Sequence, residues 1–231
     1  YEKRLSKFDI VQDYIKVVSE SLTAQAYITT DLDDNQITAF HPGAMMESHQ
    51  NSISSVTEKV DLAIIAPSGK EGMIKHAQEC YEKKIPFIFD PGQGLPMFDK
   101  IELNAFIDQA TYIAVNDYEA ELLMKVSGLS VSEIQKKVEA LIITKGAHGS
   151  EIYCDNKINI APIKADSTID PTGCGDAYRA GLLYGISNKL TWEDTGKLAS
   201  VMGSIKIKTQ GGQNHNPSLL EIEEFFGKKL I

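Results

Sequence analysis

Hydrophobic and polar positions change rhythm once along the chain, near residue 60. Before that point the apolar residues come in short runs. Residues 24–30 (AQAYITT) and 36–40 (QITAF) are β-prone, and the connector 31–35 (DLDDN) is rich in turn formers. Together they predict a β-hairpin. A further β-prone run spans 14–18, and 41–60 reads as polar and irregular, with His41-Pro42-Gly43 breaking the second strand.

Beyond residue 60 the apolar runs become continuous: DLAIIA at 61–66, PFIF at 86–89, YIAV at 112–115 and ALII at 140–143. They alternate with helical stretches at 69–84, 100–109, 117–126 and 130–139. Continuous apolar strands separated by helices predict a parallel sheet covered on both faces. Residues 149–161 predict an antiparallel hairpin turning at Asp155-Asn156, and the last third predicts helices at 174–187, 191–209 and 217–228. The expected fold class is α/β, a doubly wound, mostly parallel sheet flanked by helices. It divides into a segment 1–60 carrying the hairpin and a core at 61–231. Ligands gather at the carboxyl ends of strands in such a sheet. That brings Asp90, Asn116 and Thr144-Lys145-Gly146 to one edge, although they are scattered in sequence.

Composition narrows the partners. Over 231 residues the formal net charge is -9, which argues against nucleic acid or an anionic membrane surface as the main partner. Local backbone dipoles still allow an anionic small molecule. Cys80, Cys154 and Cys174 are far apart and form no CxxC pair, so a reducing cytoplasm is the expected compartment. No apolar run approaches a membrane span. His41, His148 and His215 share no metal-ligand spacing.

The stretch 169–181 (IDPTGCGDAYRAG) carries the chemistry. It reads as a glycine turn running into a helix, where close backbone N–H groups and the helix dipole favour an anion. Asp176 at the mouth of that helix is either an N-terminal cap or a base beside a phosphate. Arg179 fits a cation near phosphate and equally a solvated helix face.

Four stretches, in order, resemble the motifs of the ribokinase-like family of sugar and nucleoside kinases, the PfkB carbohydrate kinases. Asn116-Asp117-Tyr118-Glu119 is similar to the N-x-x-E element. Thr144-Lys145-Gly146-Ala147-His148-Gly149 is similar to the T-x-G-x-x-G nucleotide loop, and 170–176 (DPTGCGD) to the D-T-x-G-A-G-D signature. The run 199–204 (ASVMGS) with Gly211-Gly212 resembles the closing helix and glycine turn. The resemblance covers nearly the whole chain.

It implies a ribokinase-like fold with a small β lid, and transfer of the ATP γ-phosphate to a hydroxyl. Asp176 takes the part of the base, and the N–H groups of Gly173, Cys174 and Gly175 that of the anion hole. Asn116, Thr144, Gly146 and Gly149 fall along the ATP phosphates and ribose, with Ser200 on the adenine side. Asn116 and Glu119 hold Mg²⁺ through waters, a reading that coexists with a capping box. Asp170 and Thr172 offer oxygens to a monovalent-cation (K⁺) site, as in some relatives. Two residues depart from the pattern. Cys174 stands where the family usually has Ala, as a thiol or simply as a small side chain. Pro171 stiffens the loop.

In this family the acceptor is read by amino-terminal strands and the lid. The chain opens on Tyr1, without Met, in what reads as the end of a helix. The expectation is a fragment that begins after those strands and keeps the 24–40 hairpin as part of the lid. Lid edges in the family often pair between subunits, which implies a homodimer. Asp90-Pro91-Gly92-Gln93, 173–181 and Gly211-Gly212-Gln213-Asn214-His215 look most similar to bacterial adenosine-kinase-like members. The expected acceptor is therefore the 5′-hydroxyl of adenosine, a purine-salvage reaction. A ribose or fructose kinase, or a non-catalytic nucleotide-binding module, are the alternatives.

Overall fold

The computed structural model of the chain describes residues 2–30 and 36–230, so the connector expected at 31–35 lies outside them. A short helix, α1 (Glu2–Ser6), precedes β1 (Gln25–Thr30) and β2 (Gln36–His41). These two strands pair antiparallel from Gln25 against His41 to Thr30 against Gln36 and form a sheet of their own. The strand expected at 14–18 does not form, because no strand among the described residues offers it a ladder. Side chains tie this segment down instead. The Tyr14 hydroxyl donates to the Glu58 carboxylate, and Asn51 Nδ2 donates to the Tyr14 carbonyl at 3.1 Å.

The region expected to be irregular at 41–60 contains two 3-10 helices, Gly43–Gln50 and Ile53–Ser55. The polar face of the next helix organises them. Lys75 Nζ donates to the carbonyls of His49 and Asn51, and the Glu79 carboxylate accepts from Ser52 Oγ at 2.6 Å and Ile53 N at 2.7 Å. Polar composition here encodes docking onto a helix.

The main sheet is built from β3 (Ala63–Ile65), α2 (Lys70–Glu82), β4 (Phe87–Phe89), α3 (Lys100–Gln109), β5 (Tyr112–Asn116), α4 (Asp117–Ser127), α5 (Val131–Gln135), β6 (Ala140–Thr144), β7 (Ser150–Tyr153) and β8 (Lys157–Ile160). Spatial order follows chain order, β3-β4-β5-β6-β7-β8, with β3 to β6 parallel and the last two pairings antiparallel. Right-handed crossovers in that order put α2 to α5 on one face. Alternate strand residues then serve opposite layers. Phe87, Phe89, Ile113, Val115, Leu141 and Ile143 pack with Met73, Phe106, Leu123 and Ile134 from these helices. Ile88, Ala114 and Ile142 face the other way. Each fully buried side chain of this size stabilises by about 1.5–3 kcal/mol. The helix expected over 130–139 is cut to α5, because the chain must align early with β5: Glu139 N donates to Thr111 O at 2.8 Å.

The second face is covered by α6 (Cys174–Ser187) and α7 (Trp192–Lys206), whose Tyr178, Leu182 and Ala199 meet Ile88, Ala114, Ile142 and Ile152. Helix α8 (Leu219–Phe226) lies behind α7, with Phe226 against Leu198, Val201 and Ile205. Helix α7 stops three residues short of the expected 209, where Thr209 N turns back onto Lys206 O. No helix among the described residues is long and apolar enough to cross a membrane.

Candidate active site

Three neighbouring strands end in polar residues on the same edge of the sheet. Asp90 follows β4, Asn116 ends β5, and Thr144 ends β6 as the direct register partner of Asn116. Asn116 is also the N-cap of α4. Its Oδ1 accepts from Glu119 N at 2.7 Å, and Glu119 Oε2 accepts from Asn116 N at 2.8 Å, so the capping box forms. Glu119 Oε1 accepts no hydrogen bond from the described residues and remains the oxygen free for a hydrated ion. Burial pushes the Glu119 carboxyl above its ordinary value, against the pull of the Asn116 N–H and of Arg179. Among the described residues no group of three or more His, Cys, Asp or Glu converges as a metal cage. Asn116 and Glu119 fit a magnesium ion that keeps most of its own waters.

Arg179 is neither a free cation nor a solvated one. It is 8% exposed, and its Nε and Nη2 donate to the two carboxylate oxygens of Asp90 at 2.9 and 3.0 Å. The Glu119 carboxylate lies 3.9 Å away. Burial raises the Asp90 carboxyl above its usual range, the Arg179 charge opposes this, and the nearby Asp176 charge adds to it. Asp90 therefore anchors α6 to the end of β4.

The glycine turn sits where expected, at the start of α6. Gly173 is its N-cap with φ +83°, and a Cβ there would fall 2.7 Å from the Gly212 carbonyl, so two loops meet at this glycine. Cys174, Gly175 and Asp176 are the first three residues of the helix. One expected donor drops out. Cys174 N is spent on Pro171 O at 3.0 Å, while the N–H groups of Gly173, Gly175 and Asp176 have no partner among the described residues. Helical geometry explains this, since the first turn has no preceding carbonyls to bond. Burial raises the Cys174 thiol, which supports a small side chain rather than a reactive thiolate. Asp176 is exposed.

Before the turn, Asp170 clamps the loop. Its Oδ1 accepts from Thr172 N at 2.8 Å and its Oδ2 from Gly211 N at 2.7 Å, and these backbone donors hold the carboxyl at about 2. Thr172 thus acts here as a donor to Asp170.

A cavity of about 670 Å³ opens between this turn, the loop after β6 and one side of α7. Thr144, Gly146, Gly149, Cys174, Gly175 and Ser200 line it, joining three distant motifs in one space. Asn116, Glu119, Asp170, Thr172, Gly173 and Asp176 stand outside its lining. Its two expected loop glycines are different in kind. A Cβ on Gly149 would fall 2.1 Å from Ile160 O, so β8 forces that glycine, whereas a Cβ on Gly146 meets nothing within 4 Å. Only Gly146 keeps space for something other than protein. Sequence reasoning missed Ser204, which lines the cavity and whose Oγ is buried without a partner. Its position four residues after Ser200, on the same helix face, was the available signal. It also missed Tyr178, which lines the cavity with its hydroxyl 2.7 Å from Ser150 Oγ. A smaller cavity of about 270 Å³, lined by residues of 13–16 and 51–55, contains none of the motif residues.

Unpartnered N–H groups at a helix start, a carboxylate at its third position and a cavity beside them are features that phosphoryl transfer calls for. Comparison with known proteins gives the same class. Residues 1–219 match the family model described as pfkB family carbohydrate kinase. The nucleoside kinase of Burkholderia thailandensis in complex with inosine superposes with a TM-score of 0.97 at 49% identity, over 99% of this chain and 77% of that one. Its complex with ADP-inosine gives a TM-score of 0.94 at 50% identity, over 98% and 71%. A nucleoside kinase of Methanocaldococcus jannaschii is 34% identical over 232 residues, spanning 100% of this chain and 76% of the relative. The chain belongs to the PfkB family of carbohydrate kinases and has the ribokinase-like fold. It is a phosphotransferase with an alcohol group as acceptor.

Proposed function

We propose that this kinase transfers the γ-phosphate of ATP to the 5′-hydroxyl of a purine nucleoside, with adenosine and inosine as the acceptors to test first. The observation that carries the reading is the start of α6, where three unpartnered N–H groups and the Asp176 carboxylate share one turn beside the cavity. Likeness to a nucleoside kinase solved with inosine, at 49% identity, supports the acceptor class.

In this mechanism Asp176 orients the acceptor hydroxyl and receives its proton as the new P–O bond forms. The N–H groups of Gly173, Gly175 and Asp176 hold the oxygens of the transferred phosphoryl, with the dipole of α6 behind them. Thr144 and the open face at Gly146 flank the donor phosphates and ribose. Ser200 and the unpartnered Ser204 hydroxyl serve the base end of the donor. Mg²⁺ would supply charge neutralisation of the phosphates when bound, and Asn116 with Glu119 would hold its waters. The described residues of 2–60 form the acceptor side, with the β1–β2 ribbon as a lid. Exposed Tyr27, Ile28, Ile37 and Phe40 on that ribbon suit it to close over substrate or to pair in a homodimer.

The test is a turnover assay of the purified protein with ATP and Mg²⁺ against adenosine, inosine, uridine, ribose and fructose. The expected result is a kcat/KM at least about tenfold higher for the purine nucleosides than for either free sugar. Preference for a sugar overturns the nucleoside reading and leaves the family intact. ATP binding without turnover of any acceptor favours a nucleotide-binding module.

A further inference from the structure

The junction of the 169–172 loop with the end of α7 contains a cation that belongs to the chain. Lys206 is 0% exposed, and it lies among the largest fully buried side chains. Its Nζ donates to Asp170 O and to Thr209 O, each at 2.9 Å. A buried ammonium against backbone carbonyls is costly unless those carbonyls need a cation. Here one carbonyl comes from the loop that leads into the glycine turn, and the other from the turn that ends α7. Lys206 itself is the last residue of α7, where a positive charge also complements the helix dipole.

The chain itself supplies the positive charge and the donors at this junction. Both side-chain oxygens of Asp170 are occupied by the N–H groups of Thr172 and Gly211. Its carbonyl and that of Thr209 are occupied by Lys206. The two carbonyls that a cation at this spot would collect already face a cation of the chain.

We infer that the Lys206 ammonium replaces a monovalent cation at this junction, holding the 169–172 loop against the end of α7 so that the glycine turn is set without added K⁺. Lys206 is a positioning residue in this account and touches no substrate. Its charge lies within reach of Cys174, the first residue of the anion-binding turn, and so adds a fixed positive potential behind that turn. The inference deepens the kinase reading and rests on it for its effect on rate, whereas its effect on stability stands apart.

The experiment compares wild type and Lys206→Met in choline, sodium, potassium and ammonium chloride at one ionic strength. Melting temperature and turnover are both read. For wild type the expected result is the same melting temperature in all four salts and turnover within about twofold. For Lys206→Met, turnover falls at least about tenfold in choline and returns saturably with K⁺ or NH₄⁺, accompanied by a cation-dependent rise in melting temperature. A wild type that loses turnover in choline and regains it with K⁺ overturns the inference, and that arm needs no variant to fold. A Lys206→Met protein that is indifferent to the cation in both readouts overturns it as well. Absence of turnover for wild type in every salt would sink the kinase reading, while the melting data still decide the role of Lys206.

Discussion

Arg179 and Lys206 are both buried cations beside the first turn of α6, and they are compensated in opposite ways. Arg179 meets formal charge: the Asp90 carboxylate at 2.9 and 3.0 Å, with Glu119 3.9 Å away. Lys206 meets dipoles, the carbonyls of Asp170 and Thr209. Removing a guanidinium from a buried ion pair leaves a carboxylate stranded in low dielectric. Removing an ammonium from carbonyls leaves neutral acceptors that water or another cation can satisfy. The first device resists change, and the second is replaceable.

That contrast orders the expected effects. Arg179→Met should be the most damaging to stability, by about 3–5 kcal/mol in urea unfolding, because Asp90 is left buried without its partner. Adding Asp90→Asn should recover more than half of the loss, since both members of the pair are then neutral. A double variant as unstable as the single one would show that Arg179 acts through packing instead. Lys206→Met should cost less, about 1–3 kcal/mol, and potassium should offset part of it. Equal losses at the two sites, with no help from potassium, would erase the difference.

The smallest effect concerns Asp170. Backbone donors from Thr172 and then Gly211 hold its carboxyl at about 2, below its usual 3.8. A carboxyl depressed in the folded state contributes stability that is fully present above about pH 4 and is lost as pH falls through about 2. Asp170→Asn should therefore flatten the acid limb of melting temperature against pH between 4 and 2. An unchanged limb would mean that the clamp does not outlast thermal motion in solution.

How much of this was legible in the sequence follows from the range of the interaction. The strands at 61–66, 86–89, 112–115 and 140–143 announce themselves because each is a continuous apolar run, and their order at the sheet edge follows from chain order. The glycine turn was legible because its cause is local: φ at Gly173, orphan donors at the first turn, Asp176 three residues on. Arg179 was not, because its partner Asp90 is 89 residues away and meets it only after β4 and α6 pack on each other. Lys206 looked like any lysine at a helix end. Its burial depends on the 169–172 loop folding over it, which no local pattern encodes. Residues 14–18 show the converse error. A β-prone run forms no strand when nothing beside it supplies a ladder, and Tyr14 is held by Glu58 and Asn51 instead. The hydrogen bond of Cys174 N to Pro171 O, inside the turn itself, was visible only once Pro171 O had a direction.

In the proposed reaction the first turn of α6 holds the transferred phosphoryl while Asp176 receives the proton. Asp176→Asn tests it most directly, with ATP binding followed by calorimetry and turnover measured on the preferred acceptor. The expected result is a dissociation constant for ATP within about threefold of wild type and turnover lower by at least about a hundredfold, or about 2.7 kcal/mol of transition-state stabilisation. Turnover close to that of wild type would contradict it and remove Asp176 from the mechanism.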